Sequence, residues 1–172
     1  MTGTIYQLLQ NIIPELKAQE IPKQMNDFNA FSDWLNKSNN YMKYVELKEF
    51  YDNGIEDNEF LKLKHVNTQA LQVKVQSDVG ELYERLDESM DDMQDVDAYM
   101  DDRIEVEQQV EDILFDNIKA AAQDHQLSLL VIFRENPYWM LLPTQDEQVL
   151  DQIVDVFNQT FNTDGDLNMA RY

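Results

Sequence analysis

Leu127-Ser128-Leu129-Leu130-Val131-Ile132-Phe133, then Asn136-Pro137, then Tyr138-Trp139-Met140-Leu141-Leu142 is the stretch whose reading decides the fold. Two runs of aliphatic, β-branched and aromatic residues flank a turn dipeptide, which predicts an antiparallel hairpin over about 127–142. Thr144, with Glu147 three residues later, forms a capping-box pair. It opens a C-terminal capping helix over about 145–161, with Val149, Leu150, Ile153, Phe157 and Phe161 on its buried face. Asn162 to Asp166, with Gly165, closes that helix, and a short tail runs to Tyr172. Hairpin and helix together predict one layered core unit.

Working back from this unit, the period of the apolar residues changes. Leu61, Leu63 and His65 alternate with Lys62 and Lys64, and Leu71, Val73 and Val75 alternate with Gln72, Lys74 and Gln76. Alternation of this kind predicts a second antiparallel hairpin, over about 60–76. The first 56 residues read as helical. Thr4 and Gln7 make a capping-box pair, and Ile5, Leu8, Leu9, Ile12, Ile13 and Leu16 follow helical spacing until Pro14 kinks or divides the element. Phe28, Phe31, Trp34 and Leu35 mark a helix over about 26–37. Tyr44, Leu47 and Tyr51 favour another short helix, stopped at Asn53-Gly54. The fold class expected is α+β, and residues 1–172 form a single domain. If it divides, it does so into a helical part, 1–56, and an α+β part, 57–172.

Between the two expected hairpins lies the most polar segment, an acidic central helix or helix pair over about 78–123. It has no proline, and its one glycine, Gly80, stands in the first turn. Leu82, Leu86, Met90, Met93, Met100, Ile104, Val110, Leu114 and Ile118 outline an apolar stripe. One straight helix of this length would span ~69 Å, against a diameter of roughly 40 Å for a compact chain of this size. The sequence therefore predicts a break, placed in the Asp95–Asp102 region because clustered Asp is a poor helix former.

Composition narrows the function. The 172 residues hold 34 acids and 13 Lys or Arg, a net charge of −21. Between Glu81 and Asp116 there are fifteen acids and two bases, Arg85 and Arg103, so this segment alone carries −13. Such a field repels phosphate, which disfavours direct contact with nucleic acid or an anionic membrane, and it draws in basic partners. The apolar fraction of 43% supplies a core, so wholesale disorder is not expected. There is no cysteine for a disulfide or thiolate site. No secretory leader or bilayer-length apolar run is visible, and the expected location is cytoplasmic.

The chemistry-bearing motifs are sparse. Glu81-Leu82-Tyr83-Glu84 resembles the first Glu-x-x-Glu of helical nucleotide pyrophosphohydrolases of the house-cleaning type, which hold Mg²⁺ between facing helices. The second half does not follow, because Gln108, Val110 and Leu114 stand three residues after Glu105, Glu107 and Glu111. Asp95-Val96-Asp97 begins like an EF-hand loop, but Met100 and Val106 occupy its glycine and bidentate-Glu positions. His65 and His125 have no helical His or Glu partner spacing. No metal or cofactor is expected. The favoured reading is a non-enzymatic protein that captures a basic partner, a nuclease-type toxin or a DNA-binding protein, in the manner of an immunity protein or a DNA mimic. Its expected contacts are Glu84, Glu88, Asp91, Asp92, Asp95, Asp101 and Asp102, with Trp139 as an aromatic anchor. Alternatives are a Mg-dependent pyrophosphohydrolase-like enzyme using Glu81 and Glu84, and a structural or scaffolding homodimer formed through the Leu82–Ile118 stripe.

Overall fold

The computed structural model describes residues 3–46, 54–90 and 96–172, with the backbone alone described at 86, 89–90 and 96–104. Its elements are α1 (Ile5–Ile12), a 3-10 turn (Pro14–Ala18), α2 (Phe28–Leu35), β1 (Met42–Tyr44), α3 (Glu59–Leu63), α4 (Thr68–Met90), α5 (Val96–Gln123), β2 (Ser128–Phe133), β3 (Tyr138–Leu142), α6 (Glu147–Phe161) and β4 (Asn168–Arg171). The α+β class read from the sequence is the class observed.

The deciding stretch folds as expected. β2 and β3 pair antiparallel, with Leu130 opposite Met140 and Ile132 opposite Tyr138. The sheet order is β1-β3-β2-β4, every neighbour antiparallel. Consecutive residues of β2 and β3 are buried on both faces, which explains their continuous rather than alternating apolar runs. Leu130, Ile132, Tyr138, Met140 and Met169 face the layer of α2 and α6, where Phe28 meets Tyr138, Phe157 and Phe161. Val131, Trp139 and Leu129 take the opposite face, toward which Tyr172 packs on Phe115 of α5. Asp146 rather than Thr144 caps α6, its carboxylate accepting from the Gln148 and Val149 amides. Thr144 Oγ1 instead accepts from Asp146 N.

In the N-terminal part the Thr4–Gln7 capping box is formed, and Pro14 ends α1 and opens the 3-10 turn. The short helix expected over 41–51 is not there at its start: Met42–Tyr44 is an edge strand paired to β3. Residues 47–53, where that expectation continues, lie outside the described residues. Gly54 has φ +72°, and a Cβ there would overlap the Lys43 side chain.

The hairpin expected over 60–76 is replaced by α3 and the first turns of α4. Leu71, Val75, Val79 and Leu82 repeat at helical spacing, and this pattern prevails over the alternation of 71, 73 and 75. Val75 is buried while Val73 is 58% exposed, and Leu63 is equally exposed. Asn67 starts α4 by accepting from the Ala70 amide. Asn58, fully buried, starts α3 by accepting from the Phe60 and Leu61 amides and donates to Tyr41 O. His65, assigned to the apolar side of a strand, is exposed in the left-handed turn between α3 and α4. α5 is helical through Val96–Asp102, so the expected break does not fall at 96–102, and Asp95 lies outside the described residues. The central segment is a pair of helices, α4 and α5. The short tail contributes β4, a four-residue edge strand whose one buried side chain, Met169, is too little pattern to read from sequence.

Candidate functional site

The acidic surface is built on α4 and α5, and one polar contact fixes how they pair. Lys74 Nζ donates to Asp78 Oδ2 (2.8 Å) on its own helix and to Asn117 Oδ1 (2.6 Å) on α5. Asn117 Nδ2 donates back to Asp78 Oδ2 (3.1 Å) and to Ile113 O (2.8 Å). Asp78 precedes the end of α4 by twelve residues and Asn117 follows the start of α5 by twenty-one. Only an antiparallel pair brings them together, since a parallel one would ask residues 91–95 to bridge about 50 Å. Hydrogen bonds from Lys74, then from Asn117, hold the Asp78 carboxyl below its usual range.

Between the helices the apolar seam is Val75, Val79 and Leu82 from α4 and Val106, Val110, Leu114 and Ile118 from α5, all buried. Steps of three and four residues leave the other faces to solvent. There Glu81, Glu84, Asp87 and Glu88 of α4, and Glu105, Asp112 and Asp116 of α5, are exposed, while Glu107, also exposed, stands seven residues before Leu114 on the seam side of α5. Lys74 and Asp78 form an ion pair within α4. Arg85 donates to the Glu81 backbone carbonyl. The acids therefore form two antiparallel rows on a short, broad surface. They do not form the single file of about 54 Å that one continuous helix would give over 81–116.

The inner edge of this surface is tied to the sheet by Tyr172. Its hydroxyl donates to Asp112 Oδ1 (3.3 Å), its ring meets Phe115 at 5.3 Å, and Lys119 Nζ lies 5.4 Å from the ring centroid. Beside it Glu111 is half-buried, and burial followed by the charge of Asp112 raises its pKa. Nothing in the sequence pattern marks Tyr172, because its role comes from β4.

The expected contact residues divide by location. Glu84 and Glu88 are exposed on α4. Asp101 and Asp102 lie on α5, their side chains outside what the structure describes. Asp91, Asp92 and Asp95 lie outside the described residues. Trp139 is not available as an anchor: it is completely buried on the α5 face of β3. Strand alternation puts Tyr138 on the other face, half-buried against the 45%-exposed Tyr44 (5.1 Å). Of the dimer seam expected from sequence, Leu82, Val110, Leu114 and Ile118 are covered within one chain, and the side chains of Leu86, Met90, Met93, Met100 and Ile104 lie outside what the structure describes. Glu81 and Glu84 are both solvent-facing, and among the described residues no three His, Asp or Glu side chains converge as a metal site. Among the described residues no helix is long and apolar enough to cross a membrane.

The fold and site define an α+β protein with a four-stranded antiparallel sheet and an acidic antiparallel helix pair. Comparison with protein-family models, curated proteins and solved structures finds no match to the chain.

Proposed function

We propose that the protein binds a basic partner protein through the outer faces of α4 and α5, as an immunity protein or nucleic-acid mimic does. The observation that carries this reading is a dense set of exposed carboxylates, eight on the described side chains of the two helices. Like charges three or four residues apart each weaken a helix by a few tenths of a kcal/mol. A partner's Lys and Arg groups reverse that penalty, and the field of a chain carrying −21 accelerates their arrival. Glu84, Glu88, Asp91, Asp92, Asp95, Asp101 and Asp102 are the residues assigned to the contact. The partner class is a nuclease-type toxin or a DNA-binding protein, whose phosphate-binding surface the carboxylates would occlude.

The test pairs affinity capture from native cells with the variant Asp91→Lys/Asp92→Lys/Asp95→Lys. The expected result is a basic protein retained by the native chain at low salt, released as salt rises, and lost with the variant, whose circular dichroism is unchanged. The captured protein's nucleic-acid binding should also be blocked by the native chain. Capture that is indifferent to the triple reversal at low salt would refute the reading.

A further inference from the structure

We infer that the cleft beside Tyr44 seats a lysine or arginine side chain of the basic partner, an inference that rests on the partner class proposed above. The cleft has a volume of about 410 Å³ and is lined by Asn29, Tyr44, Arg134, Glu135, Asn136 and Tyr138. Tyr44 stands on the edge strand β1, opposite Tyr138 in register, with 45% of its surface open. Its ring meets Tyr138 edge-on at 5.1 Å, and Tyr138 meets Phe28 at 5.2 Å, so a ladder of rings runs from the surface into the core. An exposed ring held in this way gives up little conformational entropy on binding.

The occupant follows from charge. Aromatic faces attract cations, and the amide oxygens of Asn29 and Asn136 and the Glu135 carboxylate are acceptors for an ammonium or guanidinium. Arg134 and Glu135, both exposed, bring opposite charges to the lining, so the aromatic rings and the net charge of −21 set the preference. The cleft lies at the end of the sheet that carries the β2–β3 turn, and its Tyr138 is on the face away from α5. Only residues 124–127 separate α5 from β2, so α5 folds back along that strand. It is about 42 Å long against about 20 Å for β2. Its acidic N-terminal half therefore extends toward the end of the sheet that carries the β2–β3 turn. A single partner that meets the helix pair with its basic surface would reach around this end of the sheet to place one cation in the cleft.

The experiment is a titration of the isotope-labelled full chain, followed by NMR, with short Gly-Ser peptides carrying arginine, lysine or glutamate. Arginine and lysine peptides should move the signals of Tyr44, Tyr138, Asn29 and Asn136. Tyr44→Ala should weaken their binding about two- to fivefold, with an unchanged salt slope, and Tyr44→Phe should retain it. Basic peptides that move only α4 and α5 signals overturn the cleft assignment and leave the acidic surface standing. A cleft filled by the glutamate peptide overturns it as well. Basic peptides that move nothing overturn both readings.

Discussion

Asn117→Ala tests the geometry on which the acidic surface depends. The substitution deletes the two hydrogen bonds that cross from α5 to α4, at 2.6 Å from Lys74 and 3.1 Å to Asp78, and one to Ile113 O within α5. A buried charge-assisted bond contributes about 1.5–3 kcal/mol. Here the Lys74 side chain is 61% exposed and that of Asp78 35% exposed, so water replaces much of what is lost. Discounted for that screening, each crossing bond contributes about 0.5–1 kcal/mol. Alanine returns about 0.5 kcal/mol through helix propensity. The net loss is about 0.5–1.5 kcal/mol, which at this chain length lowers Tm by roughly 1–6 °C. The assay is urea unfolding followed by circular dichroism for Asn117→Ala, Lys74→Ala and the double variant. The two effects should fall short of additivity in the double variant, because Lys74 and Asn117 share one network. The Asp78 carboxyl should also titrate higher in Asn117→Ala, since one of the bonds depressing it is gone. An Asn117→Ala protein as stable as the native chain, with strictly additive single effects, would refute the antiparallel clamp.

Acid titration gives a second check, because two carboxylates respond with opposite sign. Asp78 is depressed in the fold, so its contribution is present above its unfolded pKa and disappears as pH falls through the folded one. Glu111 is raised, so its contribution is full below its unfolded pKa and disappears as pH rises through the folded one. Urea midpoints should therefore pass through an optimum on the acidic side of neutrality, and Glu111→Gln should flatten the limb that falls toward neutral pH. Gln126→Gly should stabilise the protein by about 1 kcal/mol, because Gln126 sits at φ +59° where α5 ends. The Leu127 N to Ala122 O bond that closes the turn (2.9 Å) is kept, and a calorimetric Tm below that of the native chain would contradict this.

The hairpin of β2 and β3 and the helix α6 were legible because local pattern and tertiary environment agree there. Asn136-Pro137 fixes the turn, and continuous apolar runs suit strands covered on both faces. The Thr4–Gln7 box and the division at Pro14 were legible for a similar reason, since capping and ring sterics act over a few residues. Residues 60–76 misled because Leu71, Val73 and Val75 satisfy a two-residue period while Leu71, Val75, Val79 and Leu82 satisfy a helical one. Only the neighbour decides between them: Val75 faces the seam with α5, and Val73 faces water.

The candidate surface divides along the same line. Where the acids lie is a property of the sequence, and Glu84 and Glu88 stand exposed as expected. Their arrangement in two rows is tertiary, because it follows from a reversal fixed by Lys74, Asp78 and Asn117, residues far apart in the chain. For Tyr138 and Trp139, strand alternation requires opposite faces but is silent on which face is covered. α5 covers the tryptophan, and the exposed ring next to Tyr138 comes from β1, about a hundred residues earlier in the chain. The sequence by itself determined the class, the charge and the elements whose signals are local. Register against a distant neighbour, and with it which side chains meet solvent, belonged to the tertiary structure, because burial is a relation between elements that no single segment contains.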